Sequence, residues 1–209
     1  MANITLADMK VGDILMCKSQ GTSTHNVIGF GENLATGRDY RNYIHAAIIT
    51  AEGAGVTLVE SHGEGITATT PPGSPATVFR LKPEVSDAEA LALAAAAVAR
   101  ELMGRYQKAN DSFGQYSRAK ATFSLLRTRG SSDNTRAVVK EISDGTYTGG
   151  IFCSMFVVIC YQVAILRMNK PAKLLPLDVD AQSMQPSFMT GYLKQNTQQW
   201  AEIGEFAPA

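Results

Sequence analysis

The run from Ile151 to Leu166, IFCSMFVVICYQVAIL, contains no charged residue, and it limits what the chain can become more than any other feature. It is longer than the usual strand, which favours a helix, although its Val and Ile content leans weakly towards a strand. Crossing a bilayer takes about 20 consecutive apolar residues, and Ser154, Tyr161 and Gln162 interrupt this run. The sequence therefore predicts a helix from Cys153 to about Arg167, buried inside a folded core. The chain has 209 residues, 45% of them apolar, enough for one such domain over residues 1–209.

Around that helix the sequence predicts strands. VGDILMCKS (11–19) reads as a short strand entered through a turn at Gly12 and Asp13. YIHAAIIT (43–50) and GVTLVESH (55–62) are two β-rich runs, and the glycine-rich AEGAG that links them predicts a hairpin. ATVFRLKP (76–83) is a further strand candidate. By contrast, ITATTPPGSP (66–75) predicts a loop, because three prolines within five residues exclude a central strand. Ser86 and Glu89 form a capping box before an Ala/Leu-rich helix running to about Tyr106. Residues 20–42 read as loop. Residues 107–150 are mixed, with one helical patch, YSRAKATFSLL, and a polar stretch around RGSSDN. The Pro-punctuated tail after 167 predicts an amphipathic helix near 187–200. The resulting class is α+β: a small antiparallel sheet packed against the helix that begins at Cys153.

Charge and cysteine content remove several functional classes. Lys plus Arg and Asp plus Glu are both 19, and no basic stripe interleaved with aromatics appears. A nucleic-acid partner has no electrostatic footprint here, and no polybasic segment suits an anionic membrane surface. The N-terminus lacks a secretory signal, so synthesis in the cytosol is expected, without membrane insertion. The three cysteines, Cys17, Cys153 and Cys160, make no disulfide framework and no metal-binding pair. His25, His45 and His62 show no metal-ligand spacing. No cofactor and no metal is expected.

The chemistry concentrates at Cys153. A cysteine nucleophile reacts as its thiolate, which a helix N-terminus and a nearby imidazole both favour. Cys153 sits in the first turn of the predicted helix, behind the flexible TGG of residues 148–150. Taken alone, a cysteine beside Phe152 reads first as packing. The two hairpin strands change the weighing. His45 is a polar residue at the head of one strand, and Glu60 ends the apolar run of the next. Antiparallel pairing would bring them side by side, so that the carboxylate orients the imidazole and the imidazole faces the thiol. Cys160 lies two turns deeper and reads as core, and Cys17 reads as structural. His62 is either a second imidazole near the site or a loop histidine, and His25 receives no role.

VGDILM, YIHAAII, TLVESHGEGI, ATVFRLKP and IFCSMFVVICY follow one another in an order that resembles the circularly permuted branch of the NlpC/P60 papain-like superfamily. The resemblance covers about residues 11–167 and leaves 168–209 as a C-terminal extension. It implies a papain-like fold, with Cys153 as nucleophile, His45 as general base and Glu60 as the residue that orients His45. The family often reads FCSEL at the nucleophile, whereas this chain has Met155 and Phe156 in the last two places. A tetrahedral intermediate would be held by the Cys153 backbone N–H and a second donor. Tyr43, Tyr116 and the hydroxyls of residues 21–24 are candidates for that donor.

The resemblance implies a cysteine hydrolase that cleaves an amide bond through a thioester, with peptide or peptidoglycan-fragment substrates. Without a signal, such a protein would reach its substrate as an effector exported by a signal-independent system, countered by a cognate immunity protein. Two other readings stand beside it. One is an acyl-ester hydrolase or acyltransferase of the same permuted type, and the other is a non-catalytic binding domain on the same fold.

Overall fold

The computed structural model describes residues 2–19, 40, 42–63, 65–70, 72–108, 132–169 and 177–208. Among them are seven strands: β1 (Asn3–Ile4), β2 (Ile14–Lys18), β3 (Tyr43–Ala51), β4 (Thr57–His62), β5 (Gly65–Thr69), β6 (Ala76–Leu81) and β7 (Trp200–Phe206). Four helices accompany them: α1 (Ala88–Lys108), α2 (Ser132–Asp144), α3 (Cys153–Arg167) and α4 (Pro186–Gln195). The strands form one sheet in the order β1-β7-β6-β2-β3-β4-β5. Every pairing is antiparallel except β1 with β7. The α+β class holds, but the sheet is not the small one expected.

The added strands have physical reasons. β5 occupies residues assigned to a loop, because Pro71, Pro72 and Pro75 follow the strand rather than interrupt it. It sits at the sheet edge and pairs with β4 alone. The C-terminal helix stops at Gln195, and Trp200–Phe206 forms a strand between β1 and β6. Among the described residues beyond 167, β7 is part of the sheet and α4 packs against β3, β7 and α3. Helix α2 falls in the mixed region, where Val138, Val139 and Ile142 supply a buried face. The predicted helical patch at 116–126 lies outside the described residues.

β2 and β3 hold the centre, and the runs Ile14–Cys17 and Ala46–Ile49 are apolar on both faces, the pattern of strands covered on both sides. Ile14, Met16, Ala46, Ile48 and Val59 join the core formed with the helices. Leu15, Cys17, Ala47, Ile49 and Leu58 belong to a second buried cluster on the opposite face. Helix α3 is buried from Cys153 through Ile165 and packs against α1, β3 and β4. Helix α1 starts one residue later than its capping box predicts. Its first bond runs from Leu91 N–H to Asp87 O, and the Ser86 hydroxyl donates to the Asp87 carboxylate at 3.0 Å.

Gly12 and Asp13 anchor this framework. Gly12 has φ +87°, and a Cβ there would lie 2.5 Å from that of Ala92, so glycine is required on both counts. Its N–H donates to Ile49 O, and its carbonyl accepts the Tyr161 hydroxyl at 2.6 Å, tying β2 to β3 and to α3. The Asp13 carboxylate, 1% exposed, accepts Arg80 Nε at 2.8 Å, Arg80 Nη2 at 2.7 Å and the Lys10 N–H at 2.8 Å. Burial pushes its pKa up, with the Arg80 guanidinium opposing. Arg80→Ala is expected to lower unfolding stability by about 3 kcal/mol at neutral pH, since it strands a buried carboxylate. The deficit should shrink as pH falls, because protonation neutralises the orphaned group. Urea denaturation at pH 7 and pH 5 measures both effects.

Candidate functional site

The Cys153 site forms where two strands part. β3 and β4 pair from Ala51↔Thr57 to Ala47↔Glu60, after which β4 pairs only with β5. Ile49 exchanges its backbone bonds with Gly12 and Asp13 on the β2 side. Strand alternation therefore turns the Ala46 N–H towards β4, beyond the last β3–β4 pair. That amide donates to the Cys153 sulfur instead. The Ser154 N–H, in the first turn of α3, donates to the same atom. Two side-chain bonds pin this end of the helix: Ser61 Oγ donates to Ile151 O at 2.8 Å, and Ser154 Oγ donates to Met184 O at 2.5 Å.

His45 and Glu60 meet, but not by the expected geometry. Ala47 lies directly across from Glu60 in the register. His45 shares the strand face of Ala47 two residues away and reaches Glu60 along the diagonal, a distance within range of long side chains. His45 Nε2 and Glu60 Oε2 are 2.6 Å apart. With Nε2 engaged, Nδ1 is the ring nitrogen left to bond the Cys153 sulfur, and a side-chain bond joins His45 to Cys153. Glu60 Oε1 accepts the Thr69 hydroxyl at 2.7 Å. A continuous hydrogen-bonded row thus runs Cys153–His45–Glu60–Thr69, crossing from α3 over β3 and β4 to β5.

The charges in this row support one another. Burial works against an imidazolium at His45, but the Cys153 sulfur and the Glu60 carboxylate overcome it and push its pKa up to about 10. Burial likewise works against a thiolate at Cys153, yet His45 and the Ala46 and Ser154 amides bring its pKa below the ordinary thiol value. Glu60, also opposed by burial, is held low chiefly by its bond to His45, with further help from Thr69 and His62. All three shifts act in the direction of a thiolate–imidazolium pair flanked by a carboxylate. Cys153 itself is only 2% exposed, so the sulfur is shielded from bulk water, while the His45 side chain is partly exposed.

The other cysteines behave differently. Cys17 pairs in register with His45 on β2, and burial raises its pKa strongly. Cys160 is fully buried in α3 and also raised by burial. All three thiols are free. His62 ends β4, bonds to Thr67 Oγ1 at 2.7 Å and adds its field to Glu60. Among the oxyanion-donor candidates, the Tyr43 hydroxyl is already engaged with Thr77 Oγ1 at 2.9 Å, and Thr77 in turn donates to Glu205. Tyr116, His25 and residues 21–24 lie outside the described residues. Among the described residues, no group of three or more His, Cys, Asp or Glu side chains forms a metal site.

Thr69 is the member of the row that sequence reasoning missed. It falls in the stretch assigned to a loop, so no strand face was available on which to place it. The threonine alternation in ITAT was the one available signal. No family model, no curated protein and no solved structure matches the chain.

Proposed function

We propose that the chain is a cysteine hydrolase of papain-like fold that cleaves an amide bond through a thioester. The observation that carries this reading is the Cys153–His45–Glu60 row, in which a shielded thiol at a helix N-terminus is paired with a carboxylate-oriented imidazole. A structural cysteine needs none of these partners, as Cys160 in the same helix illustrates. The order of motifs that resembles the permuted NlpC/P60 branch supports the same reading.

In the proposed cycle the Cys153 thiolate attacks the substrate carbonyl carbon. Negative charge moves onto the carbonyl oxygen, where a backbone N–H at the start of α3 is suited to receive it. His45 donates its Nδ1 proton to the leaving amine as the carbon–nitrogen bond breaks, which leaves an acyl thioester on Cys153. A water molecule then loses a proton to His45 and attacks the thioester. Collapse releases the acid and restores the thiolate–imidazolium pair. Glu60 keeps the ring aligned and stabilises its charged form throughout.

Peptidoglycan stem or cross-bridge peptides are the proposed substrate. The second reading is acyl-ester chemistry, favoured by the apolar setting of Cys153 beside the buried Ile151, Phe152, Met155 and Phe156. Incubation with purified stem peptides and, separately, with fluorogenic short-chain acyl esters tests the choice by mass spectrometry and fluorescence. Peptide products whose masses sum to the substrate plus water are the expected result. Ester turnover alone would move the assignment to acyl transfer. Turnover of neither, together with an unreactive Cys153, would leave a binding domain.

A further inference from the structure

The Glu60 carboxylate is held at both of its oxygens. Oε2 meets His45 Nε2 at 2.6 Å, and Oε1 accepts the Thr69 hydroxyl at 2.7 Å. The β4–β5 register pairs Glu60 with Thr67 and Leu58 with Thr69. Thr69 therefore reaches Glu60 along the same kind of diagonal that Glu60 uses to reach His45. The terminal torsion of a glutamate is a broad, roughly two-fold rotor. A carboxylate bonded at one oxygen only can swing that oxygen out of line, and a second bond removes the freedom.

We infer that Thr69 is a positioning residue of the hydrolytic site, whose hydroxyl locks Glu60 in the rotation that aligns His45 with Cys153. The inference deepens the hydrolase reading and rests on it. The alternative role for Thr69 is only to satisfy a half-buried carboxylate. That role would contribute to folding and leave the reactivity of Cys153 untouched.

The groups that act on Glu60 come from several elements. His45 lies on β3, His62 on its own strand, Thr69 on β5, and Cys17 on β2 feels its charge, while Cys153 is reached through His45. Thr67 provides an internal control, because its hydroxyl bonds His62 at 2.7 Å and not Glu60. Both threonines are partly exposed on an edge strand, a setting that tolerates valine.

The test is the rate of Cys153 alkylation by iodoacetamide between pH 5 and pH 9, with peptide mapping to separate the three thiols. It is made on the wild type, Thr69→Val, Thr69→Ser and Thr67→Val, each checked for folding by circular dichroism and thermal melting. Thr69→Val should move the inflection to higher pH and slow alkylation at pH 6 by roughly fivefold, the scale of one hydrogen bond to a charged group acting at one remove. Thr69→Ser, which keeps the hydroxyl, should restore the wild-type profile, and Thr67→Val should stay within about twofold of it. If Thr69→Val is too unstable, Thr69→Ala makes the same comparison with Thr69→Ser. A Thr69→Val profile matching an activated wild type would overturn the positioning role while leaving the hydrolase reading intact. An ordinary thiol titration in the wild type would overturn the hydrolase reading, and this inference with it.

Discussion

Cys153→Ala is expected to abolish substrate turnover while leaving the fold in place. The substitution removes one sulfur atom from the first turn of α3 and with it the acceptor of the Ala46 and Ser154 amides, but it keeps the Ser61 and Ser154 hydroxyl bonds that pin this end of the helix. Removing a nucleophile that acts as a unit with its base costs on the order of 10⁴-fold or more in rate. The comparison that gives the result its meaning is Cys160→Ala. Cys160 lies seven residues along the same helix, fully buried, with a thiol that burial holds neutral. That variant should keep its turnover and lose only packing. Hydrolysis of stem peptides by both variants, after a circular dichroism check, decides the matter. Inactivation by Cys160→Ala with activity surviving in Cys153→Ala would overturn the assignment of the nucleophile.

The second large effect concerns His45. In the wild type, iodoacetamide should label Cys153 rapidly well below pH 8, because His45 and two amides hold its thiol below the ordinary value. Without the imidazole, burial is opposed only by the Ala46 and Ser154 amides, and the thiol pKa rises. An ordinary thiol near pKa 8.5 is ionised to only about 0.3% at pH 6. His45→Ala should therefore slow labelling at pH 6 by roughly tenfold or more, the scale of a one-unit shift in thiol pKa.

The same pair is expected to set the pH profile of turnover. Activity should rise as Cys153 loses its proton, on a limb below the ordinary thiol range. It should fall again as His45, pushed up to about 10, loses the proton that the proposed cycle gives to the leaving amine. Alkylation needs only the thiolate and should not show that alkaline decline. An alkaline limb of turnover near pH 6.5, where an unperturbed imidazole titrates, would show that His45 is not held by Cys153 and Glu60.

How much of this was legible beforehand differs from element to element. Helix α3 was, because an uncharged run of that length has few other places to go. The β3–β4 hairpin was legible from its glycine-rich link, and Cys153, His45 and Glu60 were proposed from it. The structure brings those three side chains together. What failed was geometry across strands. Side-by-side placement of His45 and Glu60 assumed a register that no local feature specifies, and the real one puts Ala47 opposite Glu60. β5 was lost because its prolines were read as part of the segment and not as its end. β7 was lost because Trp200–Phe206 carries Gly204 and two glutamates, a weak strand signal that becomes a strand only between β1 and β6.

The sequence by itself determined which residues are candidates for the chemistry and which helix and hairpin carry them. Composition and period are properties of neighbours along the chain, and a buried helix or a hairpin follows from them. Tertiary structure alone decided that β3 and β4 part after Ala47↔Glu60, that the freed Ala46 amide turns to Cys153, and that Thr69 closes the row on Glu60. Those contacts join residues 9 to 107 positions apart. Their existence depends on where each strand pairing begins and ends, which is set by how the whole sheet packs against its helices.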